Sequence, residues 1–214
     1  MLECKAISYG YNDDSMIIND LDFQLNLGEV VGLPGPSGQG KTTFAKVLAG
    51  YLPPQTGAVI CDGAPLPTDS YCPVQLLFQH PENALNPRWK LGDSIAEGYT
   101  PSPSILGKLN IDPKWLHRYP HELSGGELQR LALARVMTEK TRYLIADEMT
   151  AMLDPNTQAM VWNAVLGWAR KHDVGILAIS HDYPLLHRVT DRIDRTFAKE
   201  VLTSAIRQEL RSAA

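Results

Sequence analysis

The chain has no uninterrupted run of about 18 apolar residues, so no segment is expected to cross a bilayer as a helix. It has only three cysteines, Cys4, Cys61 and Cys72. That is an odd number at spacings unlike those of zinc ligands, which argues against a disulfide framework or a cysteine-based metal centre. There is no excess of basic charge either. Twenty Lys and Arg face 24 Asp and Glu for a formal net charge of −4, which is not the balance of a nucleic-acid binder, and no nucleic-acid partner is expected. Met1, Leu2, Glu3, Cys4 and Lys5 lack the apolar core of a signal peptide, so the expectation is a cytoplasmic location. Internal repeats, low-complexity tracts and sustained heptads are also missing. The 214 residues are 44% hydrophobic and 21% charged, which suits one globular domain spanning 1–214.

Short apolar strands alternate with helical patterns along this domain. Residues 2–8, 21–27, 30–33, 57–61, 75–78, 143–146 and 176–179 read as strands. Residues 41–49 read as a helix closed by Gly50, and Pro155 opens another that reaches about His172. Ser124 stands where it can cap a helix running to about Glu139. Prolines at 87, 101, 103, 113 and 120 break up the stretch between them, so residues 83–138 are expected to form an inserted, partly helical subdomain. Residues 200–214 read as a polar helix. The alternation predicts an α/β fold with a mostly parallel core sheet, N-terminal antiparallel strands and the helical insertion.

The most specific signal is Gly35-Pro36-Ser37-Gly38-Gln39-Gly40-Lys41-Thr42, set between an apolar strand and a helix. Glycines let the backbone wrap tightly and aim several N–H groups at one point. Together with the helix N-terminus these make a cradle for phosphate oxygens. Lys41 suits the β- and γ-phosphates of ATP, Thr42 a Mg2+ ion, and Thr43 the α-phosphate. A glycine-rich turn alone would be ambiguous, but this one has the strand before it and the helix after it.

Tyr143-Leu144-Ile145-Ala146-Asp147-Glu148 is an apolar strand ending in two carboxylates. With a phosphate cradle nearby, Asp147 is placed to hold Mg2+ and Glu148 to polarise an attacking water as general base. Ser124-Gly125-Gly126 opens a helix in the manner of an anion-binding N-terminus.

Leu123-Ser124-Gly125-Gly126-Glu127, taken with the phosphate loop and the acidic strand, resembles the signature motif of the ATP-binding-cassette (ABC) ATPases. The resemblance covers most of the chain, and it implies ATP hydrolysis with Mg2+. It also implies a head-to-tail pairing with a second ABC ATPase subunit, homodimeric or heterodimeric, in which Ser124, Gly125 and Gly126 act on the ATP held by the other subunit. Gln79 matches the family's Q-loop glutamine, which senses Mg2+ and water, and His181 its switch histidine. Asp154 matches the D-loop aspartate. Tyr11 is placed to stack on adenine, with Tyr9 as its rival. The chain departs from the family pattern at Met149, Ala151 and Met152, where Pro, Ser and a small residue are usual, and at Glu127, where Gln is more usual.

The resemblance further implies transmembrane permease subunits as partners, an extracytoplasmic binding protein if the system is an importer, and a peripheral position on the cytoplasmic face of the membrane. Phe78-Gln79-His80-Pro81-Glu82-Asn83-Ala84-Leu85-Asn86-Pro87 and Leu128-Gln129-Arg130 resemble the oligopeptide/nickel uptake branch. An energy-coupling-factor importer of vitamins or cobalt and a soluble, non-transport ABC ATPase stand as alternatives.

Overall fold

In the computed structural model, which describes residues 1–12 and 15–197, every strand expected from the sequence is present. The expected helix at 200–214 lies outside the described residues. The chain opens with β1 (Leu2–Asn12) and β2 (Ser15–Leu25), then β3 (Val30–Pro34) leads into α1 (Lys41–Leu48). Next come β4 (Thr56–Cys61), β5 (Ala64–Pro65) and β6 (Val74–Leu77). The helices α2 (Leu91–Ala96), α3 (Pro103–Lys108) and α4 (Gly125–Val136) follow, with single 3-10 turns among them. The chain then runs through β7 (Tyr143–Asp147), α5 (Pro155–His172), β8 (Gly175–Ser180), α6 (Tyr183–Val189) and β9 (Arg192–Ile193).

These strands form two sheets. Four antiparallel strands lie in the order β2-β1-β4-β5, and five lie in the order β6-β7-β8-β3-β9 with every pairing parallel. The parallel sheet is buried on both faces, which is why its strands read as unbroken apolar runs. Alternate residues serve the two faces. Val31 and Leu33 of β3, Tyr143 and Ile145 of β7, and Leu177 and Ile179 of β8 pack with the antiparallel sheet and with Phe44 and Leu48 of α1. Val30, Leu144, Ala146, Ile176 and Ala178 face the other way, against α4, α5 and the helices of 91–111.

Three expected boundaries moved. β1 and β2 each run to 11 residues because they pair along their whole length through irregular registers, which blurs the period of two. α4 stops at Val136 rather than near Glu139, where Thr138 and Thr141 turn inward to hydrogen-bond Tyr71. Gly50 does take the left-handed conformation (φ 77°) expected after α1.

Candidate nucleotide-binding site

The four adjacent strands β6, β7, β8 and β3 deliver one group each to the same edge of the sheet. Their registers align Leu77 with Ala146, Asp147 with Ile179, and Pro34 with Ser180. The residues just past these positions are Gln79, Glu148, His181 and the phosphate loop that starts at Gly35. In open parallel sheets a ligand binds at the carboxyl ends of the strands, and here those ends surround a cavity of about 360 Å³. Ser37, Gly38, Gly40, Lys41, Thr42 and Thr43 line one side of it, and Gln79, Asp147, Glu148 and His181 the other.

The loop 35–40 holds its shape through conformations that only glycine takes freely. Gly40, immediately before α1, has φ 86°, and a β-carbon there would lie 2.5 Å from Ile17 Cγ2. Lys41 is folded back into the loop, its Nζ donating to the carbonyl oxygens of Gly35 (2.7 Å) and Pro36 (2.6 Å). Burial pulls its pKa below the usual lysine range, against the opposing charges of Glu148 and Asp147. The Thr42 hydroxyl donates to Asp147 Oδ2 at 2.7 Å. Asp147 is itself buried, and burial raises its pKa although the Thr42 bond and Lys41 act the other way.

Glu148 takes a left-handed backbone, φ 51°, which costs free energy in a residue with a β-carbon. Its N–H donates to Ile179 O (3.0 Å), which locks the turn against β8. The turned carboxylate meets the end of β8, where Oε1 accepts from the His181 backbone N–H (3.1 Å) and lies 2.9 Å from the imidazole Nδ1. The arrangement thus pairs a cationic loop with two carboxylates of different character. One is buried and bonded to a hydroxyl, and the other is aimed across the cavity beside a histidine.

Tyr11 is exposed and is not among the residues that line the cavity; its hydroxyl lies 3.5 Å from Oγ1 of the lining residue Thr43 and its ring is edge-on to Tyr9 at 5.4 Å. Ile17 lines the cavity and was missed in the sequence. It sits on β2, far from any motif, and only the register of β1 with β2 brings it near. Pro36 is exposed on the loop, and the Gln39 Oε1 is buried without a hydrogen-bond partner.

The signature residues do not reach this cavity. Ser124, Gly125, Gly126 and Glu127 line a separate groove with Arg130, Met152, Leu153, Asp154 and Thr157, and Leu123 packs inward against the core. Ser124 caps α4, and Glu127 closes a capping box by accepting from the Ser124 N–H (2.8 Å) and hydroxyl (2.7 Å). Asp154 caps α5 by accepting from the N–H groups of Asn156 (3.0 Å) and Thr157 (3.1 Å). Met149, at the position where proline is usual, is buried in the core, whereas Met152 is 54% exposed.

The profile of the ABC transporter family matches residues 18–151. A Brucella ovis protein named for ATP binding in peptide import is 30% identical, over 98% of this chain and 73% of its own length. The oligopeptide transport ATP-binding protein OppF of Haemophilus influenzae is 31% identical over 88% of this chain and 63% of its own length. Among solved structures, the dimeric MJ0796, a bacterial ABC transporter cassette, superposes with a TM-score of 0.77 at 21% identity, covering 90% of this chain and 93% of that one. The cbiO1 protein of Clostridium perfringens, part of the cbiONQ complex, gives 0.72 at 23% identity over 90% and 82%.

Proposed function

The chain belongs to the ABC transporter family and is an ATPase of that family, and on this premise we propose that it energises uptake of peptides through a membrane permease. The observation that carries the reading is the convergence of Lys41, the Thr42–Asp147 pair and the Glu148–His181 pair at the carboxyl ends of adjacent strands.

Each group then has a role. The loop 35–43 cradles the phosphates, with Lys41 exchanging the Gly35 and Pro36 carbonyls for phosphate oxygens. Glu148 accepts a proton from the attacking water, and His181, held by the same carboxylate, stands beside the γ-phosphate. Thr42 and Asp147 form the hard-oxygen pair that suits Mg2+, which takes one or two protein oxygens and completes its shell with phosphate and water. Gln79 lines the same cavity, and its side-chain amide oxygen would be available to Mg2+ or to its bound water. Bound Mg2+ would neutralise charge on the β- and γ-phosphates. Tyr11 offers an aromatic face to the adenine.

The separate groove at Ser124–Glu127 and Asp154 supports a composite site, in which this chain's signature residues complete the ATP site of an opposing cassette. Residues 83–138 form the helical subdomain that, with Gln79, contacts the permease at the cytoplasmic face. Among the described residues no helix is long and apolar enough to cross a membrane. Peptide as cargo rests on the names of the two curated relatives. The test is purification of the native complex with its membrane subunits identified and its ATPase activity measured with and without peptide. A protein recovered with no membrane partner contradicts the proposal.

A further inference from the structure

We propose that Glu127 attenuates the signature half of the composite site, holding the Ser124 hydroxyl within the chain and setting a carboxylate beside the place where the opposing cassette's phosphate docks. This inference rests on the composite-site reading above.

Three observations lead to it. First, the Ser124 hydroxyl proton is already committed. One oxygen of Glu127 accepts from both the N–H (2.8 Å) and the hydroxyl (2.7 Å) of Ser124, while the Glu127 N–H reaches back to Ser124 Oγ at 3.4 Å. An incoming phosphate must break that bond before the serine can donate to it.

Second, the N-terminus of α4 already carries an anion of its own. The exposed N–H groups of a helix's first turn attract negative charge, and Glu127 supplies it at the third helical position. The two bonds from Ser124 pull the carboxyl below the usual glutamate range, so it stays ionised. No cation neutralises it within salt-bridge distance among the described residues. Arg130, one turn on, lines the same groove and with Arg118 acts on Glu127 only from beyond salt-bridge distance. It donates to the carbonyl oxygens of Gly126 (3.3 Å), Leu109 (3.4 Å) and Asn110 (2.8 Å), and its guanidinium lies 4.7 Å from the centre of the Trp115 ring.

Third, the same turn is screened by apolar atoms of residues 152–153. Met152 Sδ lies 3.7 Å from where a β-carbon on Gly125 would stand, and Leu153 Cδ2 lies 2.9 Å from the equivalent point on Gly126. The two glycines that should approach phosphate are therefore flanked by a thioether and a leucine methyl, and Glu127 lines the same groove.

Glutamine at 127 can keep the capping geometry, because its carbonyl accepts the same bonds, while removing the charge. Glu127→Gln therefore separates the electrostatic claim from folding. The experiment uses the complex purified with its native partners and the non-hydrolysable analogue β,γ-imido-ATP with Mg2+, reading the concentration for half-maximal nucleotide retention. Because the analogue is not hydrolysed, the measurement is independent of which subunit supplies the general base. Glu127→Gln should lower that concentration about fivefold at low ionic strength, the effect of one unit charge about 4 Å away across water. The gap should close at high salt. Equal or weaker retention in Glu127→Gln at low salt, together with a loss in Ser124→Ala, overturns the attenuation and leaves the composite site standing. No change in Ser124→Ala overturns the composite site itself.

Discussion

The phosphate-loop cavity and the signature groove, two half-sites in the function proposed above, are built on different plans. In the cavity the polar groups come from different strands, and the parallel sheet holds them in place: Asp147 ends β7 and Glu148 follows it, and His181 follows β8. Burial shifts Lys41 and Asp147, and a left-handed turn aims Glu148. In the groove the polar groups come from two helix N-termini and bond to their own helices, Ser124 with Glu127 and Asp154 with Thr157. In both places a ligand exchanges bonds already made, but in the cavity they join different elements, as Thr42 to Asp147 and Glu148 to His181, whereas in the groove they are the caps of the helices themselves. The two kinds of half-site should therefore respond differently to substitution.

The largest effect is expected at Glu148. Glu148→Gln keeps the size and one acceptor but removes the base, so ATP turnover should fall about a thousandfold, within the range of general-base contributions. Binding of ATP should persist. The measurement is steady-state phosphate release beside equilibrium nucleotide binding, and near-normal turnover would remove Glu148 from the chemistry. Lys41→Ala comes next. It takes the one buried cation from the cradle, so ATP affinity should fall about a hundredfold, as when one partner of a desolvated charge pair is truncated. Isothermal titration of the isolated chain reads it directly. If the signature groove alone governed affinity, this variant would bind nearly as well as the parent.

Most of the first half-site was legible in the sequence, and less of the second. Buried parallel strands read as apolar runs, and the residues after them are the cavity lining, so Asp147, Glu148 and His181 could be found by looking past strand ends. The phosphate loop is legible because its backbone demands glycine at fixed places. Ile17 was not, since its place depends on the irregular pairing of β1 with β2. β9 and α6 were also missed. A two-residue strand has no period, and α6 is a short helix with a single fully buried residue, Leu186. In the groove, the serine and glutamate three apart announce a capping box. That Met152 and Leu153 lie on Gly125 and Gly126 is a tertiary contact between segments 26 residues or more apart, and no local pattern encodes it.

The strand that feeds the first half-site is also anchored at its far end, and this gives a pH-dependent test. Burial would raise the Asp62 pKa. The bonds it accepts from the Met1 ammonium (2.6 Å), the Tyr143 hydroxyl (2.8 Å) and Arg142 outweigh that and bring it down to about 2 from 3.8. A carboxyl depressed in the folded state contributes stability above its unfolded pKa and loses it as pH falls through the folded one. The contribution should therefore be full above about pH 5, mostly lost near pH 2 and gone by about pH 1. It is worth about 1 kcal/mol once solvent screening of this partly exposed group is allowed for. Urea unfolding of Asp62→Asn against the parent should show that difference at pH 6 and only a small part of it near pH 2. A constant difference across the range would mean that the bonds matter but the charge does not.

The smallest expected effect on stability separates the half-sites most cleanly. Gly126→Ala brings a methyl to 2.9 Å from Leu153 Cδ2, the end of a flexible side chain that can rotate away. Alanine also favours the helix at this position, so stability should change by only about 0.5 kcal/mol in either direction. Gly40→Ala is the matched change in the other half-site. It places a methyl 2.5 Å from Ile17 Cγ2 at a backbone of φ 86°, where alanine is strained, so it should cost more stability. ATP affinity of the isolated chain should fall for Gly40→Ala and hold for Gly126→Ala, while turnover in the assembled complex should fall for both. Weakened binding by the isolated Gly126→Ala chain would show that the groove acts within one subunit, and the division into a half-site that binds ATP by itself and one completed by a partner would have to be given up.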